Sequence, residues 1–259
     1  MFKVSNFTDN DDVKTLDELG AFKTIEYLRD LSVSPATAAT AYFSSKMNVR
    51  RRQLVCDLSQ SAVTVQAGAM QWAVGDVNAT TGVKGVGDLF SKAVRGSVTG
   101  ESAIKPEYTG TGMLVLEPTY KYILLLDVAQ WGNNIVLDDG IFLACYSSLQ
   151  HKAVMRSNVS SAVAGGEGLF NLAVTGYGAL ALESPCPKEE LIEVTLENDE
   201  LKIDGNMALA WSGSLSFTVE RSGKSLVGSA ASGEGLVNVY RGTGKVLLAP
   251  VAKTTPMMM

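Results

Sequence analysis

The sequence predicts a mainly β protein whose body is one domain made of three internal repeats with pseudo-threefold symmetry. Three observations lead to this prediction. A G-x-G marker occurs three times at an equal spacing of 66 residues, a glycine-centred turn precedes each marker, and patterns typical of helices are rare. A unit repeated at a fixed period cannot bury its apolar face alone, so the three units are expected to share one core.

Each G-x-G marker is followed by an apolar stretch that stops at a proline. Because proline has no N–H to donate to a strand ladder, it is a reasonable place for a strand to end. The markers are Gly110–Gly112, Gly176–Gly178 and Gly242–Gly244, and the prolines are Pro118, Pro185 and Pro250.

The second marker is a glycine between two apolar stretches, at Gly68, Gly140 and Gly205. Apolar residues that alternate on both sides of a glycine turn are typical of a β-hairpin. We therefore predict two hairpins in each repeat, one at each marker.

No proline- or serine-rich linker separates the repeats, so they are expected to form a single β domain over residues 54–259. The last residues have nothing to pack a regular element and are expected to fray. The repeats cover about 54–120, 121–187 and 188–251, and the frayed tail is 252–259.

The first repeat carries a longer insertion than the others, at residues 80–100. Its glycines permit a mobile or specially shaped loop, which is the first candidate for a ligand-binding loop. The alternative is a surface excursion without a function. The candidate ligand-binding residues are Gly82, Gly85, Gly87 and Gly96.

Residues 1–53 are predicted to form an N-terminal segment with one short helix near 35–46. Ser34 suits the N-cap and Pro35 the first helical position, and alanines follow. The stretch 21–28 fits either a strand or a helix, with a strand favoured, and 48–58 is predicted to be a strand.

Composition bounds the partners and the compartment. The net charge is −5 at pH 7, which argues against nucleic acid, because a basic face supplies most of that affinity. The cysteines Cys56, Cys145 and Cys186 are far apart and odd in number, so they are expected to be reduced and mostly buried. The N-terminus lacks the regions of a signal peptide, and no apolar run approaches the roughly 20 residues that span a bilayer. We therefore expect a cytoplasmic protein.

Catalytic patterns are scarce. His151 is the one histidine, so a multi-histidine metal site cannot be built from one chain, and no G-x-S-x-G occurs to supply a nucleophile. His151 is expected to lie exposed in a loop. No cofactor is predicted.

One acidic position recurs in the repeats, at Glu101, Glu167 and Glu234, each directly after a glycine. Threefold symmetry could bring the three carboxylates together, where they could hold a divalent cation or raise one carboxyl pKa for acid–base catalysis. The alternative is that each glutamate accepts backbone amide bonds and fixes a turn.

The basic run Arg50, Arg51 and Arg52 is predicted to lie in a strand, where alternate side chains face opposite sides, so that one face pairs with acidic neighbours while the other meets solvent. A contact with phosphate or an anionic lipid is the alternative. The tryptophans are expected to fill the core: Trp72, Trp131 and Trp211.

The repeated GEGL…G-x-G blocks, together with VQAGAMQW, MNVRRRQ and MRSNVSSAVAGGEGLF, resemble the altered-inheritance-of-mitochondria twenty-four family from about residue 20 onward. The resemblance implies a fold similar to the tryptophan RNA-binding attenuation protein, an all-β, jelly-roll-like double-stranded β-helix or β-barrel assembly. It implies no established reaction, and mitochondrial relatives are associated with organisation of the inner membrane. No motif here matches the ligand or RNA residues of the attenuation protein, so neither activity is carried over.

We therefore expect a non-catalytic, homo-oligomeric scaffold or interaction module with an unidentified protein partner. Two alternatives stay open: a small-ligand-binding module that uses the 80–100 loop, and a divalent-metal-dependent enzyme at the three glutamates. Association with a membrane surface has no sequence feature in its support.

Overall fold

The computed structural model describes residues 2–29, 32–81, 105–155, 170–221 and 236–251. Within these ranges the chain forms sixteen strands, one α-helix and two short 3-10 turns. The prediction of a mainly β protein is therefore confirmed.

The α-helix follows the second strand of the chain. In chain order, the helix and strands are β1 (Val13–Leu19), β2 (Phe22–Tyr27), α1 (Ala38–Lys46), β3 (Arg52–Asp57), β4 (Val63–Val65), β5 (Met70–Thr80), β6 (Glu107–Leu116), β7 (Tyr122–Asp127), β8 (Asn134–Leu137), β9 (Phe142–Tyr146), β10 (Gln150–Met155), β11 (Phe170–Thr175), β12 (Ala179–Ser184), β13 (Ile192–Asp204), β14 (Ala208–Ser212), β15 (Ser216–Arg221) and β16 (Leu236–Leu248).

The strands form two antiparallel sheets. The nine-stranded sheet has the order β1-β2-β3-β6-β4-β9-β12-β7, with β5 added on β6. The seven-stranded sheet has the order β10-β11-β8-β14-β16-β13, with β15 added on β16. A strand at 21–28 is confirmed as β2. The strand predicted at 48–58 is confirmed as β3 only from Arg52 onward, so Arg50 and Arg51 precede the strand and do not lie in it as predicted. β3 joins β2 to the rest of the nine-stranded sheet.

The hairpins predicted at the single-glycine turns are wrong. Gly68 joins β4 to β5, but each of these strands pairs with β6 and not with the other. Gly140 joins two strands of different sheets, and Gly205 joins β13 to β14, which both pair with β16. These glycines have φ values of 78°, 72° and 74°. At each of these glycines the chain changes direction, and the strand that follows does not pair with the strand that precedes it.

The hairpins predicted at the G-x-G markers are wrong as well. Gly110–Gly112 lies inside the continuous strand β6, and Gly242–Gly244 lies inside β16. Gly176–Gly178 separates β11 from β12, which belong to different sheets. The first glycines have φ values of 117°, 118° and 122°. At Gly110 an added Cβ would lie 2.0 Å from a neighbouring carbonyl oxygen, so the marker permits a bend and a close approach of strands.

The helix α1 begins later than the sequence predicts. The Ser34 carbonyl accepts the N–H groups of Thr37 (3.0 Å) and Ala38 (2.9 Å), so a turn that contains Pro35 precedes the helix, and Thr37 takes the N-cap position. None of the side chains of α1 is buried. In the described ranges no helix is long and apolar enough to cross a bilayer.

Apolar side chains of both sheets form the core. Trp131 and Trp211 are buried in it, as predicted. Trp72 is only half-buried and packs edge-on against Phe7, with ring centroids 5.2 Å apart. Its partial exposure follows from its position on β5, a strand that is largely exposed.

Candidate interaction surface

Two strand pairs join the predicted repeats to one another, and we call them the junctions. The first junction pairs β4 with β9. The N–H of Gln66 donates to the Leu143 carbonyl (2.8 Å), and the N–H of Ser147 donates to the Ala62 carbonyl (3.0 Å). The residues directly opposite each other are Val63 and Tyr146, Thr64 and Cys145, and Val65 and Ala144.

The second junction pairs β8 with β14 in the same way. The N–H of Asp138 donates to the Leu209 carbonyl (2.8 Å), and the N–H of Gly213 donates to the Asn134 carbonyl (2.8 Å). Its opposed residues are Ile135 and Ser212, Val136 and Trp211, and Leu137 and Ala210. Both junctions therefore show the same antiparallel geometry with the same number of matched pairs.

Two long strands have one open edge each. Within the part of the chain that the structure describes, β5 pairs with β6 alone and β13 pairs with β16 alone. β5 has 11 residues and β13 has 13. Most residues of both strands are exposed, whereas nearly every residue of the four junction strands is buried. A long exposed edge is a template for pairing with another strand.

A compensated charge cluster holds β13 to its neighbours. Arg241 donates to Glu200 (2.9 Å) on β13 and to Glu220 (2.9 Å) on β15, and Lys202 lies 2.8 Å from Glu200. The hydrogen bonds from Arg241 and then from Thr218 lower the pKa of Glu220 to about 2. The cluster balances two carboxylates with two cations, and its ion pairs link β13, β15 and β16.

Pairing of the basic run with an acidic neighbour is confirmed. Glu26 binds Arg52 at 2.6 Å and Arg50 at 3.0 Å. Arg52 is fully buried, and its guanidinium carbon lies 3.8 Å from the centroid of the Tyr122 ring. These contacts give Arg50 and Arg52 a structural role at the start of β3.

The one histidine and the three cysteines lie in strands or close to the end of one. His151 is exposed as predicted, but it lies in β10 and not in a loop, where it is paired opposite Val174. The prediction of reduced, buried cysteines is confirmed for Cys56, Cys145 and Cys186. Burial raises the pKa of Cys145 to about 12, so its thiol stays protonated at neutral pH.

The predicted site residues fall outside the described ranges. Among the described residues, no three His, Cys, Asp or Glu side chains form a group that could hold a metal ion. The residues outside are the ligand candidates Gly82, Gly85, Gly87 and Gly96 and the metal candidates Glu101, Glu167 and Glu234.

A groove of about 870 Å³ lies between α1 and the ends of β2 and β3. The helix α1 on one side of it has no buried side chain. Its lining includes Tyr27, Arg29, Ala41, Arg51 and Tyr120. Aromatic and cationic side chains around a concave surface suit a small organic ligand.

Comparison with known proteins finds relatives over most of the chain. The model of the family described as Mitochondrial biogenesis AIM24 matches residues 46–251. An uncharacterized protein of Streptococcus pyogenes serotype M6 is 31% identical over 195 residues, which are 72% of this chain and 76% of that protein. An X-ray crystal structure of a Streptococcus pyogenes protein is 27% identical with a TM-score of 0.57, and the match covers 79% of this chain and 89% of that one. The family match spans all the strands that carry the junctions and the open edges.

Proposed function

The chain belongs to the family described as Mitochondrial biogenesis AIM24, as its sequence resemblance implies, and we propose that it is a non-catalytic, homo-oligomeric scaffold or interaction module. The relatives named above carry no assigned reaction in their descriptions. Support for the proposal therefore comes from the strands of this chain.

The open edges of β5 and β13 carry the proposal. Both strands are long and largely exposed, and each has one edge without a strand partner in the described ranges. Proteins that stay monomeric usually shorten or cover such edges, or interrupt them with proline, charged side chains or bulges. Neither strand is short or contains a proline. Each strand has one register shift, and the charged side chains are concentrated in β13. Copies of the chain that pair at these edges would satisfy the backbone groups on both sides.

Three-repeat architecture is part of the proposal, with each repeat a double-stranded β-helix unit. The supporting observation is that the strand around each G-x-G lies between the other strands of its own repeat. β6 pairs with β5 along one edge and with β3 and β4 along the other. In the same way, β16 pairs with β13 along one edge and with β14 and β15 along the other. In the middle repeat, β11 lies between β8 and β10, and β12 lies between β7 and β9. The scaffold is proposed to be cytoplasmic, because its thiols are unpaired and buried.

A proline in β5 tests whether the open edge serves assembly. In β9, Leu143 and Ser147 bond across the first junction, and Cys145 lies midway between them. Alternate residues of a strand direct their N–H and C=O groups to the same side. Ala73 in the first repeat is equivalent to Cys145 in the second, because each pairs with the residue two positions after the G-x-G of its own repeat. The N–H of Ala73 is therefore directed to the open edge.

The experiment is native mass spectrometry of the untagged protein with Ala73→Pro and Ala73→Ser. We expect the wild type and the serine variant to appear at the same integer multiple of the chain mass. The proline variant, which lacks that N–H, is expected to appear mainly as the monomer with unchanged circular dichroism. A monomeric wild type across micromolar concentrations would overturn the proposed function. A proline variant that assembles like wild type would overturn the role of the β5 edge.

The groove beneath α1 favours small-ligand binding as a second candidate function, at a place other than the 80–100 loop. The same spectra test it, since a bound organic molecule adds mass that a chelator does not remove. Ala41→Leu narrows the groove and is expected to remove that added mass, whereas Ala39→Leu, the same change at an exposed position of α1 outside the lining, is expected to retain it. Spectra without added mass would remove this candidate.

A further inference from the structure

We infer that the assembly is head-to-tail: β13 of one copy pairs antiparallel with β5 of the next copy, with Lys202 opposite Ala73. The inference rests on the proposed function and names its partner as a second copy of this chain. The two internal junctions supply the template, since each already joins a strand of one repeat to a strand of the next.

The position of Lys202 follows from the strands that precede the single-glycine turns. Thr64 in β4, Val136 in β8 and Lys202 in β13 share one relation to the G-x-G of their own repeat. Each is paired with the residue three positions before the first glycine of that marker. These partners are Glu107, Ala173 and Val239. Lys202 therefore holds the place in the third repeat that Thr64 and Val136 hold in the first two.

The position of Ala73 follows from the strands after those turns. Cys145 in β9, Trp211 in β14 and Ala73 in β5 are each paired with the residue two positions after the second glycine of the marker. These partners are Leu180, Val246 and Leu114. Ala73 therefore holds the place in the first repeat that Cys145 and Trp211 hold in the other two.

The junctions then fix the register. Thr64 lies opposite Cys145, and Val136 lies opposite Trp211, so Lys202 of one copy lies opposite Ala73 of the next. Because the strands are antiparallel, moving one residue along each strand in opposite directions gives the flanking pairs. They are Leu201 with Val74, and Ile203 with Trp72.

The exposure of the central pair indicates a junction that is unoccupied within the described part of one chain. At the occupied junctions the exposed fractions are 5% and 0% for Thr64 and Cys145, and 8% and 3% for Val136 and Trp211. Lys202 and Ala73, in the corresponding places, are both exposed. Pairing would bring the half-buried Trp72 beside Ile203, a cross-strand contact between an aromatic and a β-branched side chain.

The surfaces that meet in this arrangement are different, so the contact is heterologous. A heterologous contact repeats from copy to copy and gives a closed ring or an open filament. Pairing of β5 with β5, or of β13 with β13, would instead give a twofold dimer. Cross-linking distinguishes these arrangements.

The test is a disulfide between Val74→Cys and Leu201→Cys. The corresponding pair, Val63 with Tyr146, lies between positions bonded across the first junction, so it is a pair without mutual hydrogen bonds. The Cα atoms of such pairs are about 4.5 Å apart, within disulfide range. The native thiols are buried and give little background. Oxidation of the double variant is expected to give a ladder of covalent multimers on a non-reducing gel, and reduction is expected to collapse it.

The matched control pairs Val74→Cys with Asp199→Cys. Asp199 lies on the same face of β13 two residues out of register, and it is exposed. This control and each single variant are expected to remain at the chain mass after oxidation. Each variant is used at a temperature where its circular dichroism matches that of wild type.

Each other result has its own meaning. A covalent dimer from a single variant would show symmetric pairing and overturn the inference. A disulfide at the mass of one chain would show closure within the chain and overturn it as well. A protein that assembles but gives no ladder, or gives an equal ladder with the control, would overturn the register and leave the proposed function standing. A monomeric wild type would overturn both.

Discussion

Replacement of Glu26 by glutamine is expected to destabilise the fold strongly. The carboxylate binds Arg52 at 2.6 Å and Arg50 at 3.0 Å, and the side chains of Glu26 and Arg52 are only 6% and 1% exposed. Glutamine keeps the shape but removes the charge, so the guanidinium of Arg52 stays buried without its counter-charge. Removal of one partner from a buried pair costs about 3–5 kcal/mol. With about 2–4 °C of Tm for each kcal/mol in a chain of this size, Tm is expected to fall by roughly 6–20 °C.

The assay is thermal and urea unfolding followed by circular dichroism, with Glu18→Gln as the matched control. Glu18 forms an exposed ion pair with Lys23 at 2.9 Å, and such surface pairs contribute about 0–1 kcal/mol. The double variant Glu26→Leu with Arg52→Leu removes both charges together, and it is expected to recover part of the loss. A Glu26→Gln variant within about 1 kcal/mol of wild type would refute the reasoning that an uncompensated buried charge is costly here.

Three further predictions follow from glycine geometry, burial and charge. Gly205→Ala is expected to cost about 1–2 kcal/mol of unfolding free energy, because alanine is strained at the positive φ of that residue. Gly110→Ala is expected to cost about 2–5 kcal/mol, because it adds a backbone clash to the same kind of strain. Urea unfolding compares the two variants, and equal losses of unfolding free energy would contradict the clash. The thiol of Cys145, with its pKa raised to about 12, is expected to resist an aromatic disulfide reagent at pH 8 until the protein unfolds, and rapid labelling of the native protein would be contrary to its burial. Glu220→Gln is expected to lower Tm at pH 7. Because Arg241 lowers the pKa of Glu220 from 4.5 to about 2, the difference in Tm between wild type and variant should shrink as pH falls from about 4.5 towards 2. A difference in Tm that grows over this range would contradict the lowered pKa.

The sequence was sufficient for features that depend on local pattern. The strands β2 and β3 were located approximately from their own stretches of sequence, and the absence of clustered cysteines was enough to predict buried, unpaired thiols. It was insufficient for strand partners, because a glycine turn reports that the chain changes direction and not which strand comes next. At Gly68 the strand before the turn, β4, finds part of its partner in β9, far along the chain.

The open edges were not predictable for the same physical reason. An unpaired edge is a property of the finished sheet, because it depends on which distant strands come to lie beside β5 and β13. The burial of Arg52 was also hidden, since a run of three arginines is typical of a solvated surface until Glu26 is placed beside it by the pairing of β2 with β3. The glycine and glutamate candidates for ligand and metal sites stay predictions.

The weak attachment of α1 to the sheets has a consequence for local unfolding. The four clusters of core side chains contain no residue of this helix, and a hydrogen bond of 3.2 Å from Arg50 to the Ser45 carbonyl holds its last turn. We therefore expect the helix to unwind while both sheets remain intact, so that its amide hydrogens exchange with solvent at a free energy below that of global unfolding. The groove beneath it is lost in the same event. Binding in that groove and folding of α1 are thus coupled. Any molecule bound there would shift the local equilibrium towards the folded helix.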